Sequence, residues 1–225
     1  MNIKKLHIKH KERALVDISL NFESSMALVG QSGSGKSLTL KALLGMLPKN
    51  LDSHLEFGDN FVAKRGKNIA LIPQNPFTAL SPLTKIKDQF FANESFLDMV
   101  ALDKTLLKRY PSELSGGQLQ RVVIAMALAI NPEVLLLDEP TTALDANTKN
   151  IVLELLKNLH KEMGFKMLFV THDINSAKNL CEDMAVIKDG LIVERAKTTK
   201  LLNDPKLEYT KTLIESNFAN RSYRE

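Results

Sequence analysis

Two glycine-rich segments of this sequence have residue types that bind phosphate. The first, GQSGSGKS at residues 30–37, follows an apolar run, precedes a helical pattern and matches G-x-x-x-x-G-K-[ST] at every fixed position. Glycines let the backbone curve around phosphate oxygens, a lysine ammonium carries the opposite charge, and a serine hydroxyl is a ligand for Mg²⁺. A chance glycine-rich turn explains the letters but not the strand and helix around them. The segment therefore predicts a nucleotide-phosphate site.

Every residue of this loop, and Leu38 directly after it, is predicted to contact the nucleotide. Lys36 is expected at the β- and γ-phosphates, and the Ser37 hydroxyl is expected to ligate Mg²⁺. The predicted contacts are Gly30, Gln31, Ser32, Gly33, Ser34, Gly35, Lys36, Ser37 and Leu38.

The second segment, ELSGGQLQR at residues 113–121, places Ser115, Gly116 and Gly117 before an apolar run from Gln118 to Ile130. Free backbone N–H groups and the helix dipole favour an anion at such a helix start. A buried helix explains the apolar run but not the serine and glycines that open it. The sequence thus contains two anion-binding segments, although one phosphate chain needs only the first.

An acidic pair follows an apolar strand pattern in VLLLDEP at residues 134–140. Ligands of open α/β sheets bind where parallel strands end, and Asp138 and Glu139 stand at that end. Asp138 is expected to hold Mg²⁺ through water, and Glu139 to act as the general base for attack on a γ-phosphate. An isolated Asp-Glu pair is more simply a solvated turn, but the strand and the phosphate loop favour catalysis.

The elements that must position these residues alternate between short apolar runs and longer helical patterns. Consecutive apolar positions are typical of strands covered on both faces, and this alternation predicts an α/β fold with a largely parallel sheet. The predicted strands are Met26–Val29, Ile69–Ile72, Val134–Leu137, Met167–Val170, Met184–Ile187 and Leu191–Glu194.

Helices are predicted between these strands. One begins at Lys36 and ends near Met46–Leu47, before Pro48. Another has apolar residues at helical spacing, namely Ile151, Val152, Leu155, Leu156 and Leu159. Residues 75–112 have polar-apolar helical patterning without a strong strand, which indicates a small and mostly helical insertion. The last residues, 217–225, have the composition of a polar tail.

Composition narrows the function classes. The chain has 225 residues, of which 44% are hydrophobic, so it is long and apolar enough to form one domain with a full core. Its formal net charge is +4. The chain has no dense Lys/Arg block and no Trp, so its composition does not favour nucleic acid as a partner. Cys181 is the only cysteine and is expected to be a small buried hydrophobe. The charged N-terminal residues do not resemble a signal peptide, and no apolar run approaches the ~20 residues of a membrane span.

Taken together, the motifs resemble the nucleotide-binding subunit of ATP-binding-cassette (ABC) transporters, over about Ala14 to Ile192. That family has, in this order, a P-loop, a glutamine loop, an LSGGQ signature, a strand ending in Asp-Glu, an ALD loop and a switch histidine. The matching residues here are Gly30–Ser37, Gln74, Leu114–Gln118, Asp138–Glu139, Ala143–Asp145 and His172.

The resemblance implies the ABC ATPase fold, a P-loop NTPase core with a mostly parallel sheet and an N-terminal antiparallel β part. It implies one domain over residues 1–225. A helical subdomain at about 75–130 is expected within a core of 1–74 and 131–195, and a C-terminal helical tail at 196–225.

The resemblance also explains the two anion-binding segments. In this family two cassettes dimerise head to tail, so Ser115, Gly116, Gly117 and Gln118 are expected to bind the γ-phosphate held by a neighbouring subunit. ATP then links the subunits, and hydrolysis separates them.

Further roles follow from the same resemblance. Gln74 is expected to sense the γ-phosphate, Mg²⁺ or the attacking water, His172 to contact the γ-phosphate, and Asp145 to organise the interface. The implied catalytic set is Glu139, His172, Gln74 and Lys36; the implied metal set is Ser37, Gln74 and Asp138. ATP and Mg²⁺ are the implied cofactors.

One position departs from the family pattern. The adenine usually stacks on an aromatic residue near the first strands, but LHIKHKERAL at residues 6–15 contains no Tyr or Phe. His10 is the nearest substitute, and an imidazole offers less stacking area than a phenol ring.

Two segments resemble nickel- and peptide-uptake ATPases within the importers, namely IPQNPFTALSPLTKI at 72–86 and DPKLEYTKTL at 204–213. The resemblance implies transmembrane permease subunits, a second cassette that is more often a different chain than a second copy, and an extracytoplasmic substrate-binding protein. It places the chain at the cytoplasmic face of the cell membrane. Alternatives are another ABC transporter, a soluble ABC protein acting on DNA or ribosomes, or a nucleotide-binding module without turnover. Intact Glu139 and His172, and an uninterrupted cassette, favour the importer.

Overall fold

The computed structural model describes residues 1–58, 60–90 and 93–219. Nine strands lie in this described part of the chain: β1 Asn2–His10, β2 Arg13–Asn21, β3 Ser25–Val29, β4 Asp52–Phe57, β5 Ile69–Ile72, β6 Val134–Asp138, β7 Lys166–Thr171, β8 Asp183–Lys188 and β9 Leu191–Lys197. Eight α-helices are described there: α1 Lys36–Leu43, α2 Ile86–Gln89, α3 Ser95–Met99, α4 Gly116–Leu128, α5 Ala146–Met163, α6 Ile174–Leu180, α7 Thr198–Asn203 and α8 Glu208–Ala219. Short 3₁₀ turns occupy Pro76–Thr78, Lys104–Lys108 and Pro111–Glu113.

The chain divides into two compact units. The first combines Met1–Ala63 with Lys166–Glu225, and the second is Lys64–Phe165.

In the first unit, two sheets supply the scaffold. β1 pairs antiparallel with β2 and with β4. The other sheet runs β7-β3-β8-β9, in which β3 is parallel to both of its neighbours and β9 is antiparallel to β8. Every residue of β3 is buried, as expected of a strand covered on both faces.

In the second unit, β5 and β6 form a parallel pair in which Ile72 lies opposite Leu137. α4 packs against β5, α3 and α5. The described residues between β5 and β6 form helices and turns but no strand. The predicted polar tail lies partly outside the description, since residues 220–225 are not described.

The six predicted strands are all present, each within three residues of its predicted bounds. The predicted end of the first helix at Met46–Leu47 is wrong, because α1 ends at Leu43. Gly45 adopts a φ of +63°, a left-handed conformation that stops the helix before Pro48 can act. The helix predicted from Gln118 begins earlier, at Gly116. Ile151 fits the apolar spacing predicted for α5, but the residue is 57% exposed.

Candidate nucleotide-binding and hydrolysis site

The phosphate loop connects β3 to α1 and uses its glycines where other residues do not fit. Gly33 and Gly35 have φ angles of +80° and +104°, which L side chains rarely adopt. A Cβ on Gly30 would lie 2.3 Å from the carbonyl oxygen of Ile187, and one on Gly35 would lie 2.7 Å from Cγ2 of Val16. The loop is therefore curved and tightly bounded by β2 and β8.

Inside the loop, the Lys36 ammonium turns back toward the backbone. Lys36 is only 6% exposed, and its Nζ donates to the carbonyl oxygens of Gly30 at 2.8 Å and Gln31 at 2.9 Å. Ser34 Oγ is buried without a hydrogen-bond partner among the described residues. A buried lysine charge and an orphaned hydroxyl fit an anion such as phosphate. Gln31, Ser32, Gly33 and Ser37 are exposed, and Leu38 is half-buried.

The structure brings His172 to the edge of the sheet at which this loop begins. Thr171, the last residue of β7, lies opposite Val29, the last residue of β3. His172 is therefore level with Gly30, and it is exposed. The next residue, Asp173, caps α6 through Asn175 N at 3.0 Å and accepts from Ser176 Oγ at 2.7 Å. The cap fixes the backbone that presents the imidazole.

His10 ends β1 and lies opposite Arg13 in the hairpin that joins β1 to β2. Leu15 and Val16, further along β2, are the residues that face Gly35. His10 thus belongs to the hairpin whose second strand bounds the phosphate loop, and its role in stacking stays a prediction.

In the second unit, Gln74 and Glu139 meet where β5 and β6 end. Gln74 Nε2 donates to Glu139 Oε2 at 3.4 Å, and Thr142 Oγ1 donates to the same oxygen at 3.1 Å. Asp138 is the last residue of β6 and is half-buried. Glu139 has a φ of +46°, a strained conformation for a non-glycine residue. Strain and two donors together fix the direction of this carboxylate.

The serine-glycine segment begins α4 with a reciprocal cap. Ser115 Oγ accepts from Gln118 N at 3.2 Å, and Gln118 Oε1 accepts from Ser115 N at 3.0 Å. Ser115 and Gly116 are exposed, whereas Gly117 is buried, with an added Cβ 2.3 Å from Cγ2 of Thr148. The capped Ser115 hydroxyl keeps its own hydrogen as a donor. The helix start is rigid and able to donate to an anion.

Asp145 caps the following helix, α5. Its Oδ1 accepts from Asn147 N at 3.1 Å and Thr148 N at 3.0 Å. The hydrogen bond from the Thr148 side chain, followed by that from its backbone, lowers the pKa of the Asp145 carboxyl. Asp145 thus has a structural task in its own chain, and its role in an interface stays a prediction.

The donor chemistry of the predicted metal set suits Mg²⁺. Ser37, Gln74 and Asp138 offer hydroxyl, amide and carboxylate oxygens, which are the hard ligands that this cation prefers. Mg²⁺ keeps several waters and is bound by few protein groups together with substrate phosphates. The donor types are therefore compatible with Mg²⁺, and the role of these residues as its ligands stays a prediction.

The structure adds supporting residues that the motifs alone did not indicate. Thr142 contacts Glu139, as described above. Arg121 donates to the carbonyl oxygens of Ala101 at 2.8 Å and Val100 at 3.3 Å, so it ties α4 to the end of α3. Burial lowers the pKa of its guanidinium. A charged residue in an otherwise apolar helix was the available signal for Arg121, but Thr142 had none.

The chain is similar in sequence to known ATP-binding proteins of transporters. The family model described as ABC transporter matches residues 15–142, more than half of the chain. The Lactococcus lactis oligopeptide transport ATP-binding protein OppD is 34% identical over 90% of this chain and 69% of its own length. The Staphylococcus aureus metal-staphylopine import system ATP-binding protein CntD is 33% identical over 89% of this chain and 85% of its own. The Agrobacterium fabrum peptidoglycan transport ATP-binding protein YejF is 39% identical over 84% of this chain, which spans only 40% of that relative's length.

A solved structure agrees with these relatives. The ATP-binding cassette MJ0796, a dimer bound to ADP and Pi in a post-hydrolysis state, has a TM-score of 0.71 and 31% identity, and it covers 88% of this chain and 98% of that one. The fold is that of an ATP-binding cassette, the ABC ATPase fold. This chain belongs to the ABC transporter family, and its relatives confirm the predicted likeness to the nickel- and peptide-type import ATP-binding subunits. Across the described ranges 1–58, 60–90 and 93–219, no helix has both the length and the hydropathy of a bilayer span.

Proposed function

We propose that this chain hydrolyses ATP to drive an importer that takes up short peptides, nickel or a metal chelate. The names of OppD and CntD, an oligopeptide and a metal-staphylopine import protein, support this substrate range. The chain itself does not choose among these substrates in our proposal, because recognition belongs to the permease and an extracytoplasmic binding protein.

Nucleotide binding is assigned to the phosphate loop. Lys36 supplies the charge to the β- and γ-phosphates, the backbone of Gly30–Ser37 and Leu38 surrounds them, and His10 stacks on the base. Mg²⁺, when bound, neutralises developing charge on the phosphates. Ser37, Gln74 and Asp138 are its proposed ligands.

The observation that carries the hydrolysis proposal is the contact between Gln74 and Glu139 at 3.4 Å. A general base needs a carboxylate of fixed direction that a water can approach. Glu139 meets this need, since its backbone is constrained and Gln74 and Thr142 hold one of its oxygens. In the proposed step, Glu139 accepts a proton from the attacking water as the water oxygen bonds to the γ-phosphorus. The bond from that phosphorus to the β–γ bridging oxygen breaks, and ADP leaves. Gln74 orients the water, and His172 contacts the γ-phosphate.

A head-to-tail dimer of cassettes is proposed for turnover. Ser115, Gly116, Gly117 and Gln118 bind the γ-phosphate held by the other cassette, and Asp145 organises the contact. The dimeric state of MJ0796 with ADP and Pi supports this arrangement. We expect the other cassette to be a different chain. The two cassettes act on transmembrane permease subunits at the cytoplasmic face of the membrane, and nucleic acid is not a partner in this proposal.

Glu139→Gln tests the proposal, because it removes the proton acceptor while it preserves the shape and a hydrogen-bonding oxygen. We expect ATP binding to persist and turnover to fall by about 10²–10⁴-fold, the usual contribution of a general base. Glu133→Gln, the same change at an exposed residue before β6, is the matched control.

Light scattering of the Glu139→Gln variant with and without Mg²⁺-ATP then measures its mass. A nucleotide-dependent dimer supports pairing of two copies, whereas a monomer that binds ATP supports a different second cassette. Turnover close to wild type in the Glu139→Gln variant would contradict the role of Glu139.

A further inference from the structure

The last described helix, α8, is fixed to the sheet that holds the phosphate loop. Glu194 of β9 accepts from Lys206 N at 2.8 Å and from Leu207 N at 3.2 Å, immediately before α8 begins at Glu208. These two bonds satisfy backbone donors at the start of the helix. The position of α8 is therefore set by the sheet and not by the helix alone.

From that start, Tyr209 reaches the phosphate loop. The backbone N–H of Gln31 donates to the Tyr209 hydroxyl oxygen, with an N–O distance of 3.4 Å. The Lys188 ammonium, at the end of β8, lies 4.8 Å from the centroid of the Tyr209 ring. A cation over the ring face is attracted by its quadrupole and holds the ring in place.

The contact at Gln31 acts on a peptide that is already shared. The Gln31 carbonyl oxygen accepts from Lys36 Nζ at 2.9 Å and from Ser34 N at 3.3 Å. Tyr209 holds the N–H of the same residue, so Gln31 is restrained on both its N–H and its C=O sides. Because the Gln31 carbonyl helps to hold the Lys36 ammonium, a change at Tyr209 reaches the phosphate-binding charge.

Two turns further on, α8 reaches the segment that contains His172. Asn217 Oδ1 accepts from Ile174 N at 3.1 Å, and Asn217 Nδ2 donates to Leu213 O at 3.0 Å. Ile174 begins α6 and follows His172 by two residues. Eight residues of helix span about 12 Å, so one rigid element contacts both loops.

We propose that Tyr209 and Asn217 are positioning residues, through which α8 holds the phosphate loop and the His172 segment in the arrangement that binds ATP. The inference rests on the proposed function, since it deepens how the same site recognises the phosphates. Tyr209 acts on a loop that contacts every bound nucleotide, whereas Asn217 acts on a residue proposed to contact the γ-phosphate. The two residues should therefore differ in how they discriminate ATP from ADP.

The test measures dissociation constants of the full chain for fluorescent ATP and ADP analogues, together with the thermal unfolding midpoint without nucleotide. Tyr209→Phe removes only the hydroxyl, and we expect a threefold to tenfold weaker affinity for both nucleotides, the size of effect expected for the loss of one hydrogen bond. Asn217→Leu is expected to weaken ATP by a similar factor while the ADP affinity stays unchanged.

Two further variants separate positioning from stability. Asn217→Asp keeps an acceptor for Ile174 N and should retain most of the ATP affinity. Thr212→Val is the matched control, because the exposed Thr212 hydroxyl donates within α8 to Glu208 O. We expect the control to bind both nucleotides as the wild type does.

Equal affinities for wild type, Tyr209→Phe and Asn217→Leu would overturn the inference. A lower unfolding midpoint with equal losses of ATP and ADP in Asn217→Leu would also overturn it, because that pattern indicates a merely structural helix. If the wild type binds neither nucleotide, the proposed function fails and the inference fails with it.

Discussion

At the scale of single residues, Glu139 combines a strained backbone with a held side chain. Glu139, which precedes Pro140, has a φ of +46°, and this left-handed backbone conformation costs a non-glycine residue about 1–2 kcal/mol. Gln74 and Thr142 both donate to its Oε2, and these two donors restrain the side chain as well as the backbone. Strain of this kind is typical of functional sites, since the surrounding structure must maintain it.

The glycines of the phosphate loop give a residue-scale prediction. Gly33→Ala places a Cβ in open space, so it should lower the free energy of unfolding only by the strain of its φ, about 1–2 kcal/mol. Gly35→Ala adds an overlap with Val16 Cγ2 at 2.7 Å and should cost more. Urea unfolding without nucleotide measures both values.

Val16→Ala separates the two costs at Gly35. In the Gly35→Ala background it removes the overlapping methyl group and should recover part of the lost stability, while it should only destabilise the Gly33→Ala background. A Gly35→Ala variant as stable as Gly33→Ala would show that the loop yields at no cost, against the tight bounding described above.

At the scale of elements, the approach of α4 to α5 depends on Gly117. A Cβ at this position would lie 2.3 Å from Thr148 Cγ2. We expect Gly117→Ala to lower the free energy of unfolding by about 1–3 kcal/mol, the usual cost of overpacking. Thr148→Ser removes the methyl group and should restore most of this loss, which a double-mutant cycle in urea quantifies. Additive effects of the two changes would contradict direct contact.

The cap of α5 makes stability depend on pH. Because hydrogen bonds lower the pKa of Asp145 in the folded chain, its contribution is present above the unfolded value of about 3.9 and is lost as pH falls through the lowered folded pKa. We expect Asp145→Asn, which keeps an acceptor oxygen without a charge, to be less stable than the wild type at pH 5.

Urea midpoints measured between pH 5 and pH 3 give the comparison. The difference between wild type and Asp145→Asn should shrink as the pH falls, and a constant difference would contradict the titration of this carboxyl. Asp103→Asn is a matched control at another exposed cap, where Thr105 lowers the pKa, and it should follow the same trend.

The sequence predicted some elements closely and others not at all. Strands such as β3 and β6 are apolar at nearly every position, so the sequence pattern indicates that both of their faces are buried. The apolar pattern does not predict the individual strands before Met26, because β1 and β2 are half polar and depend on pairing with each other. Thr142 and Tyr209 could not be linked to Glu139 and Gln31, since contacts between distant segments depend on the folded path of the chain.

At the scale of the whole molecule, the second anion-binding segment predicts a function between molecules. Ser115→Arg places a long charged side chain at an exposed helix start in the second unit, whereas the phosphate loop lies in the first. We expect ATP hydrolysis by the assembled transporter to be lost while the isolated chain binds ATP with unchanged affinity.

Ser112→Arg is the control for charge and bulk, since Ser112 is exposed three residues earlier in the chain. Loss of nucleotide binding by the isolated Ser115→Arg chain would contradict a role toward a neighbouring cassette. The predicted subdomain at about 75–130 stays a prediction, because the compact unit that contains these residues is the longer stretch Lys64–Phe165.

The place of β3 in its sheet has a consequence for biosynthesis. β3 pairs with β7 and β8, and Thr171 lies 142 residues after its partner Val29. At about 5–20 residues per second, the ribosome needs roughly 7–30 s to deliver the first of these partners. During that time we expect the growing polypeptide to contain an apolar strand with two unpaired edges, a feature that favours aggregation unless it is shielded.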